Sequence, residues 1–247
     1  MRRVAIVPIL AVLLVTLNSC RSNTPPTESS TSSPDTSKNE ISSVPVPSVP
    51  ENSIESDTRP RIICFGDSLT AGYGTDVGQA YPDHLQAELD HTGYSYRVVN
   101  AGVSGNTTKD GVERIPSVLA MKPAIVVVEF GGNDGLRGLR IADTRANLDK
   151  IVSTLTASGT KVVMAGITLP PDYGPDYIKQ FNETYSLLAS KYHVPLFPFL
   201  LKGVFGVDGM MQADRTHATA QGNKVVAENV LTLIRPLLKK APSPSRQ

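Results

Sequence analysis

The sequence predicts an α/β fold, a parallel sheet with helices on both faces. Three observations carry that prediction. Ala124–Phe130 is an unbroken apolar run rich in β-branched residues, as a central strand covered on both faces requires. Strand-like runs and helix-spaced segments alternate through about 180 residues, the order that builds a doubly wound sheet. The first apolar run, Arg61–Phe65, stops at Gly66-Asp67-Ser68 and then turns glycine-rich. In a parallel sheet that junction is the carboxyl edge, where ligands sit.

The elements follow in order. Arg61–Phe65 is strand one. Tyr81–His91 is a helix, with Leu85 and Leu89 four apart and Gly93 ending it. Tyr96–Asn100 is strand two, and Thr108–Leu119 is a helix carrying Val112, Ile115 and Leu119, with Pro116 tightening or kinking it. Ala124–Phe130 is strand three. Asp143–Ala157 is a helix with Leu148, Ile151, Val152 and Leu155 on one face. Lys161–Ile167 is strand four, and Pro170–Pro175 is a loop by its breakers. Asp176–Tyr192 is a helix striped by Phe181, Tyr185, Leu188 and Tyr192. Val194–Phe199 is strand five, and Ala220–Leu238 is the last helix.

The amino terminus has a different character. Met1-Arg2-Arg3 is a basic head, and Val4–Leu17 is apolar apart from Pro8 and Thr16. That run falls short of the roughly 20 residues a spanning helix needs and fits the core of an export signal. It ends Leu17-Asn18-Ser19-Cys20, which resembles the lipobox of bacterial lipoproteins. The resemblance implies a signal peptide over 1–19 and acyl chains on Cys20 that anchor the protein to a membrane, on the periplasmic side. Loss of 1–19 removes two arginines and no acids, moving the formal charge from +1 to −1. Across Arg21–Arg59, 22 of 39 residues are Ser, Thr or Pro. Such a stretch buries too little apolar surface to order itself, so 20–59 reads as a disordered tether reaching roughly 35 Å. The folded domain is expected over 60–240, followed by a short disordered tail at 241–247.

Nothing in the near-neutral charge balance points to nucleic acid as a partner. After export Cys64 is the one remaining cysteine besides the lipidation candidate, so no disulfide framework exists, and its place in strand one makes it a buried small hydrophobe. No Gly-x-Ser-x-Gly, His-Glu-x-x-His, Walker lysine or Gly-x-Gly-x-x-Gly is present, and two cysteines cannot build a thiolate zinc site. No cofactor or metal is therefore expected.

Ser68 needs a base before it can act as a nucleophile. His84, His91 and His193 lie on or at the ends of helices and read as solvated or capping residues. His217 sits outside any periodic element, in Asp214-Arg215-Thr216-His217. An acid three residues before a histidine can accept its Nδ1–H and aim Nε2 outward. Two more strand ends offer hydrogen-bond donors. Strand two runs into Val103-Ser104-Gly105-Asn106, and strand three into Gly131-Gly132-Asn133-Asp134.

These four blocks, Gly66-Asp67-Ser68, Gly105, Gly131-Gly132-Asn133-Asp134 and Asp214-Arg215-Thr216-His217, resemble the SGNH hydrolases, or GDSL-type esterases and lipases. Asn133–Gly138, Leu169–Gly174 and Pro195–Phe199 resemble more closely the bacterial periplasmic thioesterase, lysophospholipase and arylesterase subgroup. The resemblance implies a flavodoxin-like three-layer α/β/α sandwich with a five-stranded parallel sheet in the order 2-1-3-4-5. It implies a serine esterase acting through an acyl-enzyme. Ser68 would be the nucleophile, His217 the base and Asp214 its orienting acid. The Ser68 N–H, the Gly105 N–H and the Asn133 side chain would form the oxyanion hole, with Asp67 structural. The expected substrate is a small acyl ester, thioester or lysophospholipid, and a monomer is expected. A carbohydrate O-deacetylase and a non-catalytic envelope binding protein are the alternatives.

The fourth block departs from the family pattern. Ala218 stands where proline is usual, predicting a looser His217 loop, and Arg215 stands where glycine is common, predicting a side chain in solvent. Phe205, Val207, Met210 and Met211 read equally as an acyl groove or a satellite of the core. Leu136-Arg137-Gly138 reads as a mobile lid or a structural turn.

Overall fold

The computed structural model of the protein describes residues 57–240. The expected signal peptide, the Cys20 lipidation site, the tether up to residue 56 and the tail at 241–247 lie outside the described residues.

The chain forms five parallel strands: β1 Arg61–Gly66, β2 Arg97–Gly102, β3 Pro123–Glu129, β4 Lys161–Ala165 and β5 Leu196–Phe197. Their spatial order is β2-β1-β3-β4-β5. The helices are α1 Ser68–Ala71, α2 Tyr81–His91, α3 Thr108–Ala120, α4 Gly132–Leu136, α5 Ile141–Ala157, α6 Pro175–Tyr192 and α7 Ala220–Ile234. α2 packs beside α7, and α3, α5 and α6 pack side by side, making the two outer layers.

Burial explains the order. Ile62, Ile63, Cys64 and Phe65 of β1 and Val126 and Val127 of β3 are all fully enclosed, because β1 and β3 are the inner strands with a helical layer on each side. The α6 stripe holds as predicted for Phe181, Tyr185 and Leu188, whereas Tyr192 is only half-buried and bonds Asp149. On α3 the inward face is Gly111, Ile115 and Val118, one step round from the predicted Val112 and Leu119, which pack at its margin. Pro116 lies within α3 without ending it.

Three differences from the sequence reading have local causes. β5 is two residues long, not six, because Pro195 and Pro198 bracket it and a proline N cannot donate to the ladder. The last helix stops at Ile234 and tightens into a 3-10 turn at Arg235–Leu237, where Pro236 withdraws a donor. His84 is not solvated: its Nε2 is buried with no partner on α2, and burial, followed by the nearby Lys224, pulls its pKa down. His193 does close α6, in the left-handed conformation at φ 51°. His91 is exposed at the end of α2.

All five strands run the same way, so their carboxyl ends share one edge. Ser68, Gly105 and Asn133 follow β1, β2 and β3 there. The opposite edge takes the two ends of the domain. Arg97 N–H donates to Pro60 O at 3.0 Å beside the start of β1, and Arg59 pairs with Asp90 at 3.3 Å, so ordered contacts begin ahead of Pro60. Lys239 N–H donates to the Tyr96 hydroxyl, next to the start of β2.

Gly102 closes β2 against α1. A Cβ there would collide with the backbone of Thr70 and Ala71, which cannot move aside as a flexible side chain can. Gly102→Ala is expected to lower unfolding stability in urea by about 1–3 kcal/mol, the usual cost of overpacking. An unchanged midpoint would mean α1 is not held where β2 ends.

Candidate active site

The residues after β1 turn at once into a short helix. Asp67 is its N-cap, with Oδ1 accepting the Leu69 N–H at 3.1 Å, and Gly72 ends it in the left-handed region at φ 79°. The glycine-rich stretch is therefore a helical turn. Its signal was present in the sequence as a capping aspartate and a terminal glycine five residues on. Ser68 occupies the first position of that turn, at the carboxyl end of β1, one of the inner strands.

His217 reaches Ser68 from the far end of the chain. Its Nε2 lies 2.8 Å from Ser68 Oγ, and its Nδ1 lies 2.6 Å from Asp214 Oδ2. The other oxygen of Asp214 accepts the backbone N–H groups of Thr216 at 2.9 Å and His217 at 3.0 Å. Burial pushes the Asp214 carboxyl up, but these hydrogen bonds outweigh it and hold the group below its ordinary value. An ionised Asp214 fixes the imidazole with Nδ1 as donor and Nε2 free to accept the serine proton.

The loop bearing His217 is pinned, contrary to the looseness expected from Ala218. Ala218 is buried and pairs with Met211 in an antiparallel bridge. Gln212 N–H donates to His217 O at 2.8 Å. The Gln212 amide nitrogen donates both to Ala218 O at 2.9 Å and to Tyr73 O at 2.7 Å, tying this loop to the one after α1. The Tyr73 ring sits 4.7 Å from the imidazole. Nothing in the spacing of Gln212 or Tyr73 marked them as neighbours of the site.

The two other strand ends converge on Ser68. Gly105 has φ 82°, a conformation suited to glycine, and Arg137 Nη2 donates to its carbonyl at 2.9 Å. Arg114 braces the same loop by donating to the Asn106 side chain at 2.6 Å. Asn133 Nδ2 donates to Asn106 O at 2.9 Å and to Asp67 Oδ2 at 3.2 Å. Asp134, buried, accepts the Thr108 N–H at 2.9 Å and so ties α4 to the start of α3. The neighbouring stretch is anchored rather than loose. The Tyr173 hydroxyl donates to Leu136 O at 2.7 Å, and that of Tyr177 to Leu139 O at 2.8 Å.

A cavity of about 210 Å³ opens beside Ser68, lined mainly by Leu69, Leu136, Leu169, Phe199, Leu201 and Phe205. Phe205 thus belongs to the cavity, whereas Met210 and Met211 pack against the core and Val207 is exposed. Arg215 is not simply in solvent: it is exposed but lines the mouth, from a left-handed backbone at φ 56°. Among the described residues no cluster of three or more His, Cys, Asp or Glu side chains is placed to hold a metal ion. Cys64 lies inside β1, where burial pushes its thiol up to about 12.

Two carboxyl groups lie beneath Ser68. Asp67 is buried, and burial raises it to about 6 against the hydrogen bonds it accepts. Glu129, at the end of β3, is buried too, and burial followed by the Asp67 charge raises it well above its ordinary value. Its Oε2 accepts from the Thr70 hydroxyl at 2.8 Å, while Oε1 has no partner.

Compared with known families, residues 64–225 match the GDSL-like Lipase/Acylhydrolase family. The esterase TesA of Pseudomonas aeruginosa is 46% identical over 178 residues, which cover 72% of this chain and 89% of that protein. Thioesterase 1/protease 1/lysophospholipase L1 of Escherichia coli is 34% identical over 178 residues, covering 72% of this chain and 84% of that one. A crystal structure of TesA superposes with a TM-score of 0.70 at 45% identity, covering 72% of this chain and 99% of that structure.

The buried Asp67 carboxyl gives stability a distinct pH dependence. Its pKa is near 6 folded and 3.8 unfolded, so the unfolded chain releases this proton first as pH rises. The folded state is therefore disfavoured progressively between about pH 4 and 6, and fully so above. Asp67→Asn removes that penalty, which is at most about 3 kcal/mol at 1.36 kcal/mol per pKa unit. Asn offers one acceptor where Asp67 uses two, a cost that does not vary with pH, so the variant's melting temperature relative to wild type is expected to rise from pH 4 to pH 8. A difference from wild type that does not change with pH would mean that Asp67 is not the group that titrates.

Proposed function

Because the chain belongs to the GDSL-like lipase/acylhydrolase family and is a serine esterase, we propose that Ser68, His217 and Asp214 carry its reaction as a triad. The observation that carries this reading is the continuous hydrogen-bonded line Ser68 Oγ–His217 Nε2 and His217 Nδ1–Asp214 Oδ2, at 2.8 and 2.6 Å.

Ser68 Oγ attacks the ester carbonyl carbon while its proton passes to His217 Nε2. The carbonyl π electrons move to oxygen, giving a tetrahedral oxyanion. The Ser68 N–H and Gly105 N–H, which donate no hydrogen bond among the described residues, are the first two donors for that charge. The Asn133 amide is the third, exchanging one of its present acceptors for the oxyanion. Collapse expels the alcohol or thiol, which takes the proton from His217, and leaves Ser68 acylated. Water then repeats the sequence with His217 as base, releasing the acid and restoring the serine.

The apolar cavity supports a substrate with an acyl chain, laid against Leu69, Leu169 and Phe205. This favours the aryl ester, thioester and lysophospholipid class over carbohydrate deacetylation, since an acetyl group would leave most of that lining unused. A non-catalytic binding protein would have no need of a nucleophile, base and acid in hydrogen-bonding register. The lipobox-like Leu17-Asn18-Ser19-Cys20 supports an exported lipoprotein held at a bacterial membrane through Cys20, working on the periplasmic side.

Ser68→Ala is expected to abolish hydrolysis of p-nitrophenyl esters and labelling by a fluorophosphonate. Asn133→Ala should keep labelling but lower kcat by about 10²–10³, the cost of losing one oxyanion donor. Ser68→Ala turning over like wild type would overturn the triad. For the anchor, Cys20→Ser is expected to move the full-length protein from the membrane pellet to the soluble fraction of the producing cells. Persistence in the pellet as a detergent-extractable protein would refute lipidation at Cys20.

A further inference from the structure

We propose that Glu129 is a positioning residue for this reaction: it fixes Asp67, and through Asp67 it sets the Asn133 amide. The inference rests on the reading of Asn133 as an oxyanion donor and extends it one shell inward.

The placement of Glu129 calls for a reason. It ends a strand whose preceding residues Val126, Val127 and Val128 are apolar and buried, and is itself 1% exposed. An apolar side chain would fill that position without desolvating a carboxyl group. The surroundings are nonetheless shaped around the acid. Oε2 receives the Thr70 hydroxyl at 2.8 Å and faces the Asp67 N–H at 3.4 Å. Thr70 in turn meets the Tyr81 hydroxyl at 3.2 Å, so a buried polar chain runs from α2 through α1 to β3. Gly66 lies against the same oxygen, and a Cβ there would come within 2.5 Å of it.

Oε1 has no donor facing it, which is tolerable for a neutral acid and costly for an anion. Glu129 Oε2 faces the Asp67 N–H at 3.4 Å, so the two acids adjoin, and burial with the Asp67 charge holds the Glu129 carboxyl well above its ordinary value. Two buried carboxyls so close hold one proton between them. With that proton on Glu129, its O–H donates to Asp67, and the pair carries a single negative charge on Asp67. Asp67 then accepts from Leu69 N–H and Asn133 Nδ2, aligning both the Ser68 turn and the amide. Of the other titratable groups facing the pair, Tyr81 and Tyr185 are neutral, held far up by burial, and Cys64 is a thiol. His217 also faces the pair, and the charge it gains on taking the serine proton favours Asp67 as the anion.

The test uses the full-length protein with p-nitrophenyl butyrate, measuring kcat and KM separately from pH 6 to 10. Glu129→Gln keeps a neutral donor, so kcat at pH 7 should stay within about threefold of wild type. Glu129→Leu removes the donor and should lower kcat by about 10- to 100-fold, a fraction of the cost of losing an oxyanion group outright, with KM within about twofold. The wild type should lose kcat at the alkaline end, as the second carboxyl ionises, and Glu129→Gln should not. A Glu129→Leu enzyme with wild-type kcat would overturn the inference. So would a Glu129→Gln enzyme that retains the alkaline loss, a result that stands even if Glu129→Leu fails to fold. Ser68→Ala separates the readings: if it abolishes activity while the Glu129 variants behave as wild type, the triad stands and this inference falls.

Discussion

One buried carboxylate joins the fold to the site. Asp67 caps the turn that presents Ser68 and accepts a hydrogen bond from the Asn133 amide. A single group thereby fixes the spacing between the ends of β1 and β3, where Ser68 and Asn133 sit. The group is 2% exposed, so water cannot replace either bond when one is lost. The arrangement carries a cost in desolvation, and the structure accepts it next to the reacting serine. Buried charge of this kind is where stability and activity pull apart.

The remaining parts converge because the sheet is parallel. Each strand delivers its following loop to the same edge, and braces between loops do the rest. Arg137 holds the Gly105 carbonyl, Asp134 holds the start of α3, and Gln212 joins the His217 loop to Tyr73. These are polar contacts between segments up to 139 residues apart in sequence. They explain why the loss of proline after His217 does not loosen its loop. The role of a ring is taken by a bridge to Met211 and by the Gln212 amide.

Much of this was legible in the sequence. The strands announced themselves through β-branched runs, and the four blocks marked Ser68, Gly105, Asn133, Asp214 and His217, because chemistry restricts which residue types those positions tolerate. Strand order came from family resemblance, since periodicity carries no information about which strand lies next to which. Element ends were less legible where proline intervened, as at β5. What the sequence did not disclose was pairing at a distance: Gln212 with Tyr73, Arg114 with Asn106, Glu129 with Thr70. Each is an ordinary polar residue in a surface-like or apolar context, and only the fold gives it a partner. His84 illustrates the converse, a helix residue between polar neighbours whose Nε2 is buried beside α7.

Both ends of the domain leave from the edge opposite the cavity, beside Pro60 at the start of β1 and Lys239 near the start of β2. A six-residue strand at roughly 3.3 Å per residue sets these exits about 20 Å behind the nucleophile. A short, stiff attachment made directly at Asp57 or Lys240 would therefore join the domain on the side away from the mouth, out of the path of an entering substrate.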